Sequence, residues 1–175
     1  MGARRSSDTL PGRHHRNRSR TTLLPLLVIV ATVAVYLNSF DGGFVLDDRR
    51  DILHNPRIRE LLPPWNLLSG RRPVLDLSLA INYAFGELKV AGYHAFNLLI
   101  HVLAGVTLYG IIRRTLLHEA FANRFGRSSA PLALAVALLW TVHPLQTQSV
   151  TYLIQRSESM MGLFYLLTLY CVIRG

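Results

Sequence analysis

Five consecutive residues, Asp47-Asp48-Arg49-Arg50-Asp51, bring three carboxyl and two guanidinium groups together. Adjacent carboxylates can do two kinds of chemistry: repulsion lifts one pKa toward that of a general base, and a pair of oxygens can hold a divalent cation. The same pattern also suits a solvated helix start, with Asp47 or Asp48 as the cap. His94, Asn97 and His101 form a second polar group. At about 100° per residue Asn97 falls about 60° and His101 about 20° from His94, so the three share one helical stripe. The two histidines are about 10.5 Å apart along a helix, too far to share one ion. The stripe either hydrogen-bonds to neighbouring helices or faces a wet cavity. Arg156 and Glu158 make a third group, which reads equally as an interfacial anchor or as part of a site.

The elements that must position these groups are written in the distribution of apolar residues. Half of the 175 residues are hydrophobic and 17% are charged, with mean hydropathy +0.27; soluble domains carry roughly 25% charge. Four apolar runs are expected to span a membrane, at residues 21–39, 94–112, 130–142 and 159–173, giving an all-α, polytopic helical fold. The first run is uncharged and ends in Tyr36-Leu37-Asn38 rather than at a small-residue cleavage site, so it reads as an uncleaved anchor. The third covers only about 20 Å and needs flanking residues or a thinned bilayer. Cys171 is the single cysteine, which excludes an internal disulfide framework, and no Cys/His cluster suggests zinc.

The net charge of +9 and pI near 10.6 invite a nucleic-acid reading, but segment by segment they describe orientation. Residues 1–20 hold six arginines against Asp8, the connection between the second and third runs has a basic excess, and the connection 41–93 is neutral. Basic segments stay on the cytoplasmic side, so the N-terminus is expected inside and residues 40–93 and 143–158 are expected to be outer loops. The tail is expected to be disordered, with an attraction for anionic membrane lipids and no nucleic-acid partner.

The first outer loop is long enough to contain structure of its own. Asp41-Gly42-Gly43 signals a turn, and Phe44-Val45-Leu46 returns to the membrane surface. A short amphipathic stretch, Ile58 to Leu62, stops at Pro63-Pro64, and Trp65 suits the headgroup level. Residues 73–85 read as a helix with Val74, Leu77, Ile81 and Phe85 on one face, too short to cross and suited to lie in the interface. In the second outer loop, Pro144 ends the third run near His143.

Taken in order, Phe40-Asp41-Gly42, Phe44, Asp47-Asp48, Asn55-Pro56, Arg72-Pro73-Val74, Ser78, Asn82-Tyr83, Gly92-Tyr93-His94, Asn97, His101, His143-Pro144 and Arg156-Ser157-Glu158 resemble the N-terminal part of the transmembrane and tetratricopeptide-repeat family. Its members are GT-C-type membrane glycosyltransferases, some of them protein O-mannosyltransferases, followed by helical repeats. The resemblance runs from about residue 40 to 170. Neither the repeats nor the later spans of the fold are in this sequence, which is therefore expected to be the front part of a larger enzyme, inactive alone.

The resemblance implies transfer of a sugar from a polyprenyl-phosphate carrier to a hydroxyl, on a protein or a glycan, outside a bacterial inner membrane or in the endoplasmic reticulum. Asp47 and Asp48 match the catalytic acids of the first outer loop, one to accept the acceptor's proton and the other to orient it or hold a divalent cation, the one cofactor considered. Arg156 and then Arg72 are the expected binders of the lipid phosphate, with Glu158 and His94 beside them. A multi-span anchor or scaffold for the repeats, without enzymatic activity, is the competing function. A transporter is a weaker third, because only the second run carries a polar stripe.

Overall fold

The structure, a computed structural model, describes residues 23–63 and 65–175. The expected basic tail, the first residues of the first run and Pro64 lie outside the described residues. Among those described there is no strand. The helices are α1 (Leu24–Tyr36, continued by a 3-10 turn Leu37–Asp41), α2 (Trp65–Leu68), α3 (Pro73–Gly86), α4 (Val90–Leu117), α5 (Glu119–Phe125), α6 (Ser129–Thr141), α7 (Thr147–Thr151) and α8 (Arg156–Arg174).

Local chemistry sets their ends. Pro25 and Pro73 open α1 and α3, where the missing N–H costs nothing. Pro144 forces His143 into extended backbone (ψ 135°), so α6 stops at Thr141, and the Nδ1 of His143 accepts the Leu145 N–H to start the next turn. Helix α4, 28 residues and about 42 Å long, is the central post. Val28 of α1 packs with Tyr109 late in α4, whereas Tyr36 packs with Leu98 early in it, so the two are antiparallel. Helix α6 sets Ala133 and Ala137 in the first of these layers, and α8 sets Met160 and Leu163 against Ile100 and Ala104. A Cβ on Gly105 would collide with the Thr141 side chain and come within 3.3 Å of Val28 Cγ1, so this missing side chain is what lets α1, α4 and α6 meet. Thr141 O, freed by the end of α6, receives the Tyr36 hydroxyl at 3.3 Å and lies 2.9 Å from His101 Nε2.

The all-α fold stands, and the four expected runs fall on α1, α4, α6 and α8. Two helical segments, Leu24–Asp41 and Val90–Leu117, are long and apolar enough to cross a membrane. A third crossing exists only as a bent pair, Glu119–Thr141 with Pro144–Thr151, at 54° across the break. The run 159–173 lies within α8, whose 19 residues open on Arg156-Ser157-Glu158 and close on Arg174, and these polar ends leave it outside the candidates. Helix α3 forms where the interfacial helix is expected. Leu75, Ser78, Leu79 and Ala80 face inward; of the expected face Val74 and Phe85 (89%) are exposed, while Leu77 packs against the core.

Candidate functional site

The two loops fold onto each other at the N-terminal end of α4. Ile52, Ile58, Leu67, Leu75 and Leu79 from the first, Tyr93 from α4, and Leu153 and Ile154 from the second form one apolar nucleus. Burying these side chains gives the cap its cohesion, and polar groups then fix its register.

Arg156 is the largest of them. It is fully buried, and no carboxylate pairs with it among the described residues. Its Nε donates to Asn97 Oδ1 at 2.7 Å, Nη1 to Ser78 O and Oγ at 3.3 and 3.4 Å, and Nη2 to Tyr93 O at 3.1 Å. The Phe96 ring centre lies 4.5 Å from the guanidinium carbon. Asn97 Nδ2 donates to Tyr152 O and Leu153 O at 3.4 and 3.3 Å. Arg156, expected at the lipid phosphate, thus has its donors committed to α3 and α4. Asn97 and His101 of the polar stripe make interhelical hydrogen bonds. His94 is 1% exposed, and neither ring nitrogen has a partner among the described residues.

The aspartate pair divides. Asp48 is fully buried and joins the loops: Oδ1 accepts the Ile154 N–H at 2.9 Å and Oδ2 the Val45 N–H at 3.1 Å. Burial raises its pKa, opposed by those two N–H groups and by the charge of His94. Asp48 bonds backward to Val45 and does not cap the wide π turn Arg49–Leu53 that follows it. Before the pair, Leu46 has φ 47°, a left-handed backbone that costs a leucine about 1 kcal/mol. Asp47 remains exposed, its Oδ2 accepting the Tyr152 hydroxyl at 3.2 Å while its N–H donates to the same oxygen at 3.3 Å.

Asp47 lines a cleft of about 870 Å³ between the loops. Arg50, Arg57, Arg71 and Arg72 share its wall with Asp51, Asp76 and Glu158. An apolar groove of about 330 Å³ adjoins it: Arg72, Leu75 and Ser157 line both, and Val74, Met160, Met161 and Phe164 line the groove alone. Burial raises the Asp76 pKa, with Arg57 pulling it down, Asp51 pushing it up and Arg72 pulling it down. The structure therefore brings Asp47, Arg72 and Glu158 to one cleft, while Asp48, Arg156 and His94 do not line it. Among the described residues no three His, Cys, Asp or Glu side chains converge as a metal site. Buried Asp48 offers no exposed oxygen, so the divalent cation considered for the pair has no fitting site between them.

Sequence reasoning missed Tyr152, Asp76, Arg57 and Arg71 as cleft residues. Arg57 and Arg71 each adjoin a motif residue, Pro56 and Arg72. Tyr152 carries no such signal, since it meets Asp47 across 105 residues of sequence.

Such a cleft, with four arginines among its carboxyl groups and Arg72 where it opens onto an apolar groove, can hold an anionic headgroup whose tail stays in lipid while an exposed carboxylate faces the same space. No protein-family model matches the chain, and no solved structure matches it. Among curated proteins it is 34% identical to the protein O-mannosyl-transferase Tmtc1 of Drosophila melanogaster, over 76% of this chain and 16% of that protein. It is 34% identical to the protein O-mannosyl-transferase tmtc2 of Xenopus laevis, over 85% of this chain and 18% of that protein. With the protein O-mannosyl-transferase Tmtc3 of Drosophila melanogaster the identity is 30% over 90% of this chain and 20% of that protein. The chain thus spans about a fifth or less of the length of these relatives. The ordered motifs, the helical membrane fold and these likenesses agree: the chain belongs to the transmembrane and tetratricopeptide-repeat family.

Proposed function

We propose that the whole protein is a membrane glycosyltransferase that moves a sugar from a polyprenyl-phosphate carrier to a hydroxyl of an acceptor protein on the outer side of the membrane. Mannose is the sugar suggested by the relatives' names. The observation that carries this reading is Asp47, an exposed carboxylate in a cleft whose Arg72 also borders an apolar groove.

Asp47 accepts the proton of the acceptor hydroxyl as that oxygen attacks the anomeric carbon. The bond from that carbon to the carrier phosphate breaks, and the lipid phosphate leaves with the electron pair. Tyr152, donating to Oδ2, leaves Oδ1 free for the hydroxyl. Arg72, with Arg57 and Arg71 on the same wall, stabilises the departing phosphate, and the carrier's first isoprene units lie along Met160, Met161 and Phe164. Asp48 and Arg156 act behind the cleft, holding the loops together. The N-terminus faces the cytoplasm in this arrangement.

The test is transfer to acceptor peptide by the complete protein, purified and shown to be folded. Asp47→Asn should lower turnover by at least about a hundredfold, and Arg72→Gln should raise the KM for the lipid carrier more than it lowers kcat. Near-normal turnover in Asp47→Asn overturns the assignment. No transfer by the wild type with any mannosyl lipid favours the scaffold.

A further inference from the structure

At the end of the bundle opposite the cleft, the start of α1 and the closing turns of α4 and α8 enclose a pocket of about 380 Å³. Pro25, Val106 and Leu167 give it apolar walls; Arg113, Arg114 and Tyr109 give it polar ones, and among the described residues no acidic one lines it. Gly110 makes room for it: a Cβ there would lie 2.8 Å from Tyr170 Cε2, so only glycine admits the Tyr170 ring against α4. That ring in turn holds Arg114, whose Nε donates to the Tyr170 hydroxyl at 3.3 Å with the guanidinium carbon 5.3 Å from the ring centre.

Two buried donors in this region are unspent. The hydroxyl of Tyr109, a residue 4% exposed, and the Nε of Arg113 have no acceptor among the described residues. A buried donor without a partner destabilises the fold, and two of them beside a second guanidinium call for a ligand rich in acceptor oxygens and negative charge. Water supplies the oxygens but not the charge. The apolar walls and the position at the end of a membrane-length helix, where the basic connection begins, place that charge at the headgroup level of a leaflet.

We propose that this pocket binds the phosphate headgroup of an anionic phospholipid as a resident structural lipid. Arg113 and Arg114 take the phosphate oxygens, Tyr109 donates to one of them, and an acyl chain follows Val106 and Leu167. The site is independent of the outer cleft and of the chemistry assigned to it.

The test uses the complete protein in neutral detergent, with phosphatidylglycerol, phosphatidylcholine and inorganic phosphate as probes, read by native mass spectrometry and thermal unfolding. Phosphatidylglycerol should remain bound and raise the melting temperature, and the other two should do neither. Arg113→Gln with Arg114→Gln should weaken phosphatidylglycerol binding at least about tenfold, and Tyr109→Phe about threefold. Arg124→Gln with Arg127→Gln, which removes equal charge outside the pocket, should change neither readout. Equal binding of phosphatidylcholine, the same stabilisation by inorganic phosphate, or equal loss in the Arg124/Arg127 variant overturns the proposal. Should the Arg113/Arg114 variant fail to fold, Tyr109→Phe decides, and unchanged affinity there overturns it.

Discussion

Around Tyr93 and Asn97, α4 is tied to its neighbours by the hydrogen bonds of one buried guanidinium; about three turns further on, around Gly105, the same helix meets α1 and α6 through the absence of a side chain. The two regions face different solvents. Beside lipid, apolar side chains gain little by leaving their surroundings, so helices associate through close backbone approach and a few shared hydrogen bonds, here centred on Thr141. The cap lies at the membrane boundary, where water competes for every polar group. Apolar burial holds it together, and the buried hydrogen bonds of Arg156, Asn97 and Asp48 select one arrangement of the two loops.

The comparison is tested most severely at Arg156. Arg156→Met leaves Asn97 Oδ1 buried without its donor and removes the additional hydrogen bonds to the helical carbonyls of Ser78 and Tyr93, and should cost about 3 kcal/mol. Limited proteolysis of the complete protein should then cut within residues 42–89, with overall helicity kept; a cap still resistant would break the distinction between the regions. Gly105→Val is the reciprocal change. It should cost about 1–3 kcal/mol through overpacking, lowering the melting temperature while the outer loops stay resistant to protease. Asp48→Asn should cost about 1–2 kcal/mol, because one of its two N–H partners would face an amide NH2; faster hydrogen exchange at Val45 and Ile154 is the readout. The smallest effect belongs to Asp76. Burial makes its folded pKa higher than the unfolded one, so its contribution is complete below the unfolded value and is lost as pH rises through the folded value. Asp76→Asn should flatten that fall in stability just above the ordinary carboxylate range, measured by thermal unfolding against pH.

Much of the framework is legible in one dimension, because length, hydropathy and proline placement act locally. The two long apolar helices, the helix after Pro73 and the stop near His143 are such features. The third and fourth apolar runs are helical too, but an apolar stretch need not coincide with a whole helix: α8 also includes Arg156 and Glu158. The polar stripe is visible as a stripe, yet its partners lie 40 to 59 residues away. Asp47 and Asp48 look equivalent in sequence. Only the contact of Ile154 with one and of Tyr152 with the other separates them, and no spacing rule reports a contact across 105 residues. Arg156 misleads for a physical reason as well, since a charge at the mouth of a membrane helix suggests a ligand until desolvation and four acceptors are seen.

The acceptors of Arg156 stand 59 to 78 residues earlier in the chain. While the protein is being made, α3 and the loop before it are complete long before their partner exists. Through that interval Ser78, Tyr93 and Asn97 wait without their donor, and Asp48 waits for Ile154. The cap therefore completes only after α6 has been made and residue 156 delivered, so that the arrival of one short segment closes a unit begun about a hundred residues earlier.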